Sequence, residues 1–289
     1  KPRVYTGRSM IKRTFEQKGI RYASELGLQN CKDLMEIIKW NNEHDFKFFR
    51  ITSNLFPWCS EYELKSMPDY MEIKSTLYEI GEYVKENQMR ITSHPGPFNV
   101  LTSPHEHVVE NCIKDLSTHG EVFDMMELSR TPWNKINIHI GGVYGDKISA
   151  MERFCKNFTR LPESVRSRLT VENDDKASMY SVKDLYHGVY EVIGIPIVFD
   201  YHHHRFNTGD LSEREALEMA CSTWKDIKPV VHYSESRSLE KRDNTIREQA
   251  HSDYIYEYID TYDCDVDIMV EAKMKELAVL RYKEIHNIV

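Results

Sequence analysis

Short apolar runs alternate with amphipathic segments along almost the whole 289-residue chain. That alternation constrains the fold most, because strands separated by helices pair in parallel. Strands are predicted over residues 3–6, 46–51, 89–93, 135–140, 168–171, 195–199, 229–231 and 267–270. Helices are predicted over 30–43, 68–87, 104–128, 147–158, 181–193, 211–223, 252–262 and 274–286. In the first helix Leu34, Ile37, Ile38 and Trp40 recur at helical spacing. Pro104 suits a first turn, and Gly194 suits a helix end. Eight such units over residues 1–289 imply a single (β/α)8 TIM barrel, with function at the C-terminal ends of its strands. A doubly wound sheet is the alternative, but no Gly-rich phosphate loop supports it.

The run Ile195-Pro196-Ile197-Val198-Phe199 reads as a buried strand, and Asp200-Tyr201-His202-His203-His204 follows at once as its functional loop. The pattern recurs. His94, His139, Glu172, Asp200, His203, His232 and Glu271 all fall at or just past a predicted strand end. One such histidine is usually structural. Seven ligand-type residues from six strand ends point to a metal cluster at the C-terminal face. They exceed the three or four ligands of a single zinc site, so two or three ions are expected. Oxygen and imidazole without thiolate favour manganese, zinc or iron.

Composition narrows the setting. The net charge of -8 argues against indiscriminate DNA binding, although bound cations would offset acidic charge locally. The cysteines at 31, 59, 112, 155, 221 and 264 form no Cys-x-x-Cys pair, so reduced thiols in a cytosolic or nuclear compartment are expected. No apolar run reaches the roughly 18 residues of a membrane helix. The chain begins at Lys1 rather than Met, with no charged-then-apolar leader, so a trimmed N-terminal segment is expected.

Paired metals about 3.5–4 Å apart suit phosphoester hydrolysis, one activating water while another holds the scissile phosphate. A sugar isomerase on the same barrel would also use metals and carboxylates. It would need fewer histidines and a lysine or carboxylate poised for proton movement. The residues by themselves leave both classes open.

The motifs Ser93-His94-Pro95-Gly96, His139-Ile140-Gly141-Gly142-Val143-Tyr144-Gly145, Val171-Glu172-Asn173-Asp174, Asp200-Tyr201-His202-His203, His232-Tyr233-Ser234 and Val270-Glu271-Ala272-Lys273 resemble the UV damage endonuclease family. Phe49-Arg50-Ile51-Thr52-Ser53-Asn54-Leu55-Phe56-Pro57 and His251-Ser252-Asp253-Tyr254 fit it too. The motifs run in order across nearly the whole chain. The resemblance implies a barrel related to endonuclease IV, holding up to three divalent ions, commonly manganese, with magnesium, zinc or cobalt as alternatives. It implies incision of damaged duplex DNA immediately 5′ to cyclobutane pyrimidine dimers and (6-4) photoproducts. Carried over by motif, His94, His139 and Glu172 hold one metal. Glu172, Asp200, His232 and Glu271 hold a second, with Glu172 bridging, and His203 and His251 hold the third. Neither a membrane nor an obligate protein partner is implied, and a soluble, intracellular monomer is the expectation.

Three positions depart from the family pattern. Glu61 stands where a histidine often follows the apolar-Pro-aromatic segment, a ligand swap. Val230 replaces a lysine associated with the cluster. Pro97-Phe98 replaces a Gln-Tyr pair that probes the lesion; Phe98 keeps the capacity to wedge or stack. A lesion-binding module with a decayed cluster is the reading these departures leave open. Tyr144 either reaches a phosphate or base or is a buried tyrosine. Lys147 and Lys273 either contact phosphates or are solvated. Arg237, Lys241 and Arg242 lie after the seventh predicted strand, in a segment read as DNA-contacting. Asn54 and Trp58 belong to the second-strand loop and join that face. Trp40, Trp133 and Trp224 are read as core.

Overall fold

The computed structural model describes residues 4–288. In chain order its elements are α1 (Lys12–Glu43), β1 (Phe48–Ile51), α2 (Tyr70–Glu86), β2 (Arg90–Ser93), α3 (Glu106–Met125), β3 (Ile136–Ile138), α4 (Lys147–Phe158), α5 (Glu163–Arg166) and β4 (Leu169–Glu172). Then follow α6 (Val182–Leu185), a π turn over Tyr186–Tyr190, α7 (Glu191–Ile193), β5 (Ile197–Asp200), α8 (Tyr201–Phe206), α9 (Glu213–Ser222), β6 (Val230–Tyr233), α10 (Arg237–Lys241), β7 (Asp267–Val270) and α11 (Glu276–Ile285). The strands run β1-β2-β3-β4-β5-β6-β7 in one parallel sheet, each followed by helix. This is the TIM-barrel class, with seven strands among the described residues where eight were expected.

The missing strand is the predicted one at 3–6. Arg3 lies outside the described residues, and residues 4–6 form no ladder: the Tyr5 N–H donates to Asp33 Oδ2 at 2.7 Å instead. The first helix starts well before the predicted residue 30, bending at Gly19. The predicted helix at 252–262 is irregular chain.

The chain divides into two compact units, Lys1–Gly141 with Arg153–Thr170, and Gly142–Glu152 with Val171–Val289. In the first, the strand starts carry buried cations. Arg90 opens β2 and its Nε donates to the Trp133 carbonyl at 2.8 Å. Arg168 precedes β4 and is fully buried; its Nη1 donates to Asp124 Oδ1 at 2.8 Å, and its remaining N–H groups meet the Ser129, Leu128 and Ser164 carbonyls. Burial pulls against this pair, yet the Arg130 and Arg168 hydrogen bonds hold the Asp124 carboxyl below its usual range.

In the second unit, Ile197, Val198 and Phe199 are fully buried, as a parallel strand requires. Trp224 is core, and its Nε1 donates to the Ile197 carbonyl at 2.8 Å. In the first unit Trp40 is only half-buried and Trp133 is exposed, so neither belongs to the core as expected. Gly194 ends α7 in the left-handed region at φ 73°, a conformation most side chains resist.

Candidate metal centre

The second unit gathers ligand-type side chains at the carboxyl ends of its strands. Glu172 is the last residue of β4 and Asp200 the last of β5, both buried. The chain turns directly from Asp200 into α8, so the histidines expected on a loop stand on a short helix. Asp200 caps that helix: its Oδ1 accepts the His203 N–H at 2.8 Å. The His203 Nδ1–H donates to the Asn173 carbonyl at 2.9 Å, which fixes the tautomer and the ring's orientation. The same ring lies 3.4 Å from Glu172 Oε1 and 3.9 Å from Asp200 Oδ2.

His232 is the third residue of β6, a strand that runs past its predicted end at 231. Its ring is fully buried, with Nδ1 3.1 Å from Glu172 Oε2 and 3.2 Å from Glu271 Oε1. The other Glu271 oxygen lies 3.6 Å from His251 Nδ1. Each glutamate therefore addresses two histidines, one through each oxygen. Glu172 lies between the rings of His203 and His232. His251 opens no helix; an antiparallel bridge to Ser236 holds it.

Electrostatics favour a cation here. Burial pushes the Asp200 carboxyl up to about 7, His203 opposes the shift, and the Glu172 and Glu271 carboxylates add to it. Asp200 Oδ2 is buried and has no hydrogen-bond partner among the described residues. Crowded carboxylates and an orphan oxygen are both relieved by a bound cation. Ligand atoms of Glu172, Asp200 and His203 lie within 4.8 Å of one another, and so do those of Asp200, His232 and Glu271. Asp200 belongs to both groups. His203 is thus grouped with Glu172 and Asp200.

In the first unit, His94 follows β2 and His139 follows β3, with ring centroids 5.7 Å apart. The His94 Nδ1–H donates to the Pro95 carbonyl at 3.2 Å. Pro97 and Phe98 are exposed, Phe98 by 64%. Phe98 lies over Gly96, where a Cβ would stand 2.4 Å from its ring. Asn54 is exposed. Trp58 is less open than expected: its Nε1 donates to the Met10 carbonyl at 2.9 Å and its ring stacks on Phe15. Glu61 is exposed at the end of a 3-10 turn.

The remaining candidates lie in the second unit. Tyr144 is 46% exposed, so it is not a core tyrosine. Lys147 is 3.0 Å from Asp184, and Lys273 is exposed. Arg237 and Lys241 lie 3.6 and 2.7 Å from the Asp253 carboxylate, while Arg242 is exposed. Val230 is fully buried. His202 packs edge-on against His251 and Phe206; burial, then the charges of His251 and His203, lowers it to about 4. His204 packs on Phe199, and burial lowers it too.

Sequence reasoning assigned no role to Asn173, although it stands in a quoted motif. It is fully buried, its Nδ2 donates to the Asp200 carbonyl at 3.0 Å, and its Oδ1 accepts the Asp200 N–H at 2.8 Å. It also missed Asn99, whose Nδ2 joins the Gly96 carbonyl to Asp115 and so fixes the turn that presents Phe98.

The sequence matches the UV-endonuclease UvdE family over residues 2–288. The chain belongs to this family. It is 35% identical to the UV-damage endonuclease of Schizosaccharomyces pombe over 96% of this chain and 47% of that protein. It is 35% identical to the UV DNA damage endonuclease of Bacillus mycoides over 88% of this chain and 80% of that protein. The chain thus spans about half the length of the S. pombe relative. The solved structure of SacUVDE aligns with a TM-score of 0.84 at 31% identity, over 99% of this chain and 95% of that one. The D-psicose 3-epimerase of Clostridium cellulolyticum aligns with a TM-score of 0.52 at 14% identity, over 70% of this chain and 68% of that one, a likeness of fold alone.

Proposed function

We propose that this chain is a metal-dependent endonuclease that nicks UV-damaged duplex DNA immediately 5′ to cyclobutane pyrimidine dimers and (6-4) photoproducts. One observation carries the reading: Glu172, Asp200 and Glu271 converge with His203 and His232 at the strand ends of a UvdE-family chain. His94, His139 and Glu172 are assigned to one divalent ion, and Glu172, Asp200, His232 and Glu271 to a second. His203 and His251 complete the set for a third, with manganese the expected metal. Glu61, exposed on its turn, is the weakest candidate ligand. Bound divalent ions supply an activated water and charge stabilisation at the phosphorus and the leaving 3′-oxygen.

The chain's own residues set up that chemistry. Asp200 orients the His203 backbone, and the Asn173 carbonyl orients its ring. Tyr144 and Lys273 are assigned to the phosphate oxygens. Lys147, Arg242 and the partly neutralised Arg237 and Lys241 line the path of the DNA backbone, as do Asn54 and Trp58. Phe98 stacks against bases displaced at the lesion, whose weakened stacking lowers the cost of displacement. The protein acts as a monomer, inside the cell where DNA is, with damaged duplex as its partner. No described helix is long and apolar enough to cross a membrane.

The test is nicking of supercoiled plasmid with manganese, irradiated or not. Relaxation of irradiated plasmid alone, with cuts mapping 5′ to dipyrimidine lesions, is expected. Equal relaxation of both plasmids would overturn damage selectivity. No relaxation of either by manganese-loaded protein would overturn the endonuclease reading.

A further inference from the structure

Leu239 is 70% exposed in the middle of α10, a helix that also carries Arg237 and Lys241. A single exposed leucine is ordinary. Its mount is not. The Arg237 N–H donates to the Ala250 carbonyl at 2.7 Å, and the Ser252 N–H donates to the Glu235 carbonyl at 2.8 Å. Between them Ser236 bridges His251, so α10 is tied to a proposed metal ligand. From below, the Glu240 carboxylate accepts the Asp253 N–H at 2.9 Å and the Tyr254 N–H at 3.1 Å, and its side chain is only 6% exposed. Lys241 lies 2.7 Å from Asp253, which pins the last turn. Arg242 follows in the left-handed region at φ 52°, which ends the helix. The five residues of α10 thus form a braced platform whose underside is buried polar contacts and whose outer point is an apolar side chain.

Arg237, Lys241, Arg242 and Arg247 share its segment of chain; Arg237 and Lys241 face the Asp253 carboxylate, while Arg242 and Arg247 are exposed. A protein surface that buries a leucine would not ordinarily be matched to a segment this rich in cations. A nucleic acid offers both needs at once: phosphates for the cations, and the apolar faces of bases for the leucine. We propose that Leu239 is a wedge that enters the base stack at the lesion and fills the space left by displaced bases. The proposal rests on the endonuclease reading and adds a second apolar contact to that of Phe98. Its placement beside His251 couples unstacking to delivery of the phosphodiester to the metal centre.

The test uses the manganese-loaded protein and a duplex carrying one cyclobutane dimer, with 2-aminopurine opposite the lesion. Leu239→Ala is expected to lower kcat/KM for nicking by about tenfold, the loss of one buried aliphatic side chain. It is also expected to reduce the 2-aminopurine fluorescence rise on binding. Leu239→Met, which keeps length and apolarity, restores both. A dimer placed within a mismatched bubble, already unstacked, is nicked equally by Leu239→Ala and the unsubstituted protein. Unchanged melting temperature shows that the exposed position leaves the fold intact. Equal fluorescence rise and equal kcat/KM for Leu239→Ala on paired duplex overturn the wedge alone. Failure of the unsubstituted protein to nick overturns the endonuclease reading, and the wedge falls with it.

Discussion

At the scale of single residues, Glu172 stands between two histidines of the candidate centre. Its two oxygens face His203 and His232 at 3.4 and 3.1 Å, so neutralising it removes one charge that both rings face. Glu172→Gln keeps the side chain's size. It is expected to lower nicking by at least about a hundredfold and to reduce the manganese bound per chain. Elemental analysis beside the nicking assay checks this, and full metal content with normal nicking would remove Glu172 from the centre. Asn173 acts one step back, through hydrogen bonds to both the N–H and the carbonyl of Asp200. Asn173→Leu keeps the side chain's branching and number of heavy atoms but makes neither bond. Manganese titration of that variant should show binding weakened by about tenfold to a hundredfold, the usual effect of losing an outer partner.

Secondary-structure elements are held by similar side-chain anchors, and these mark where the sequence could and could not be read. Arg168 anchors the start of β4 to Asp124 near the end of α3. Because the folded carboxyl of Asp124 is held below its ordinary range, its contribution is present above that ordinary range. It is lost as pH falls through the lowered value. Asp124→Asn should therefore cost about 2 kcal/mol at pH 7 and progressively less below about pH 4, as urea melts across that range would show. A gap independent of pH would mean that the ion pair contributes nothing. The strands from 46 to 270 were legible because buried parallel strands read as short apolar runs, and Glu172, Asp200 and Glu271 were legible because each stands at such a run's end. Residues 252–262 were not. Ile255 and Ile259 are buried at helical spacing, yet the N–H groups of Tyr256 and Glu257 both donate to the Glu235 carboxylate. Glu240 similarly takes those of Asp253 and Tyr254. Acceptors more than ten residues away outcompete the helix, and no local pattern announces them. The role of Asn173 was hidden for the same reason: both its side-chain partners belong to Asp200, on the neighbouring strand.

The molecule as a whole carries a net charge of -8, and its candidate metal centre gathers three of the contributing carboxylates, Glu172, Asp200 and Glu271, in one place. Metal-free protein must either hold Asp200 protonated or bear the repulsion of Glu172 and Glu271. A divalent cation bound there would remove that choice, and because the ligands converge only in the folded chain its binding energy would become folding energy. At a free metal concentration about one hundred times the dissociation constant, the gain is about 2.7 kcal/mol per site. For a chain of this length that raises the melting temperature by about 5 °C or more. Chelation should therefore lower the melting temperature by that amount, and added manganese should restore it. In Glu172→Gln the same addition should give a smaller shift, because the bridging charge is gone, while its chelated form should melt no lower than chelated unsubstituted protein. The second comparison separates a metal effect from simple damage to the core. If manganese leaves the melting curve of the unsubstituted protein unmoved at every concentration, the carboxylates do not form a cation site.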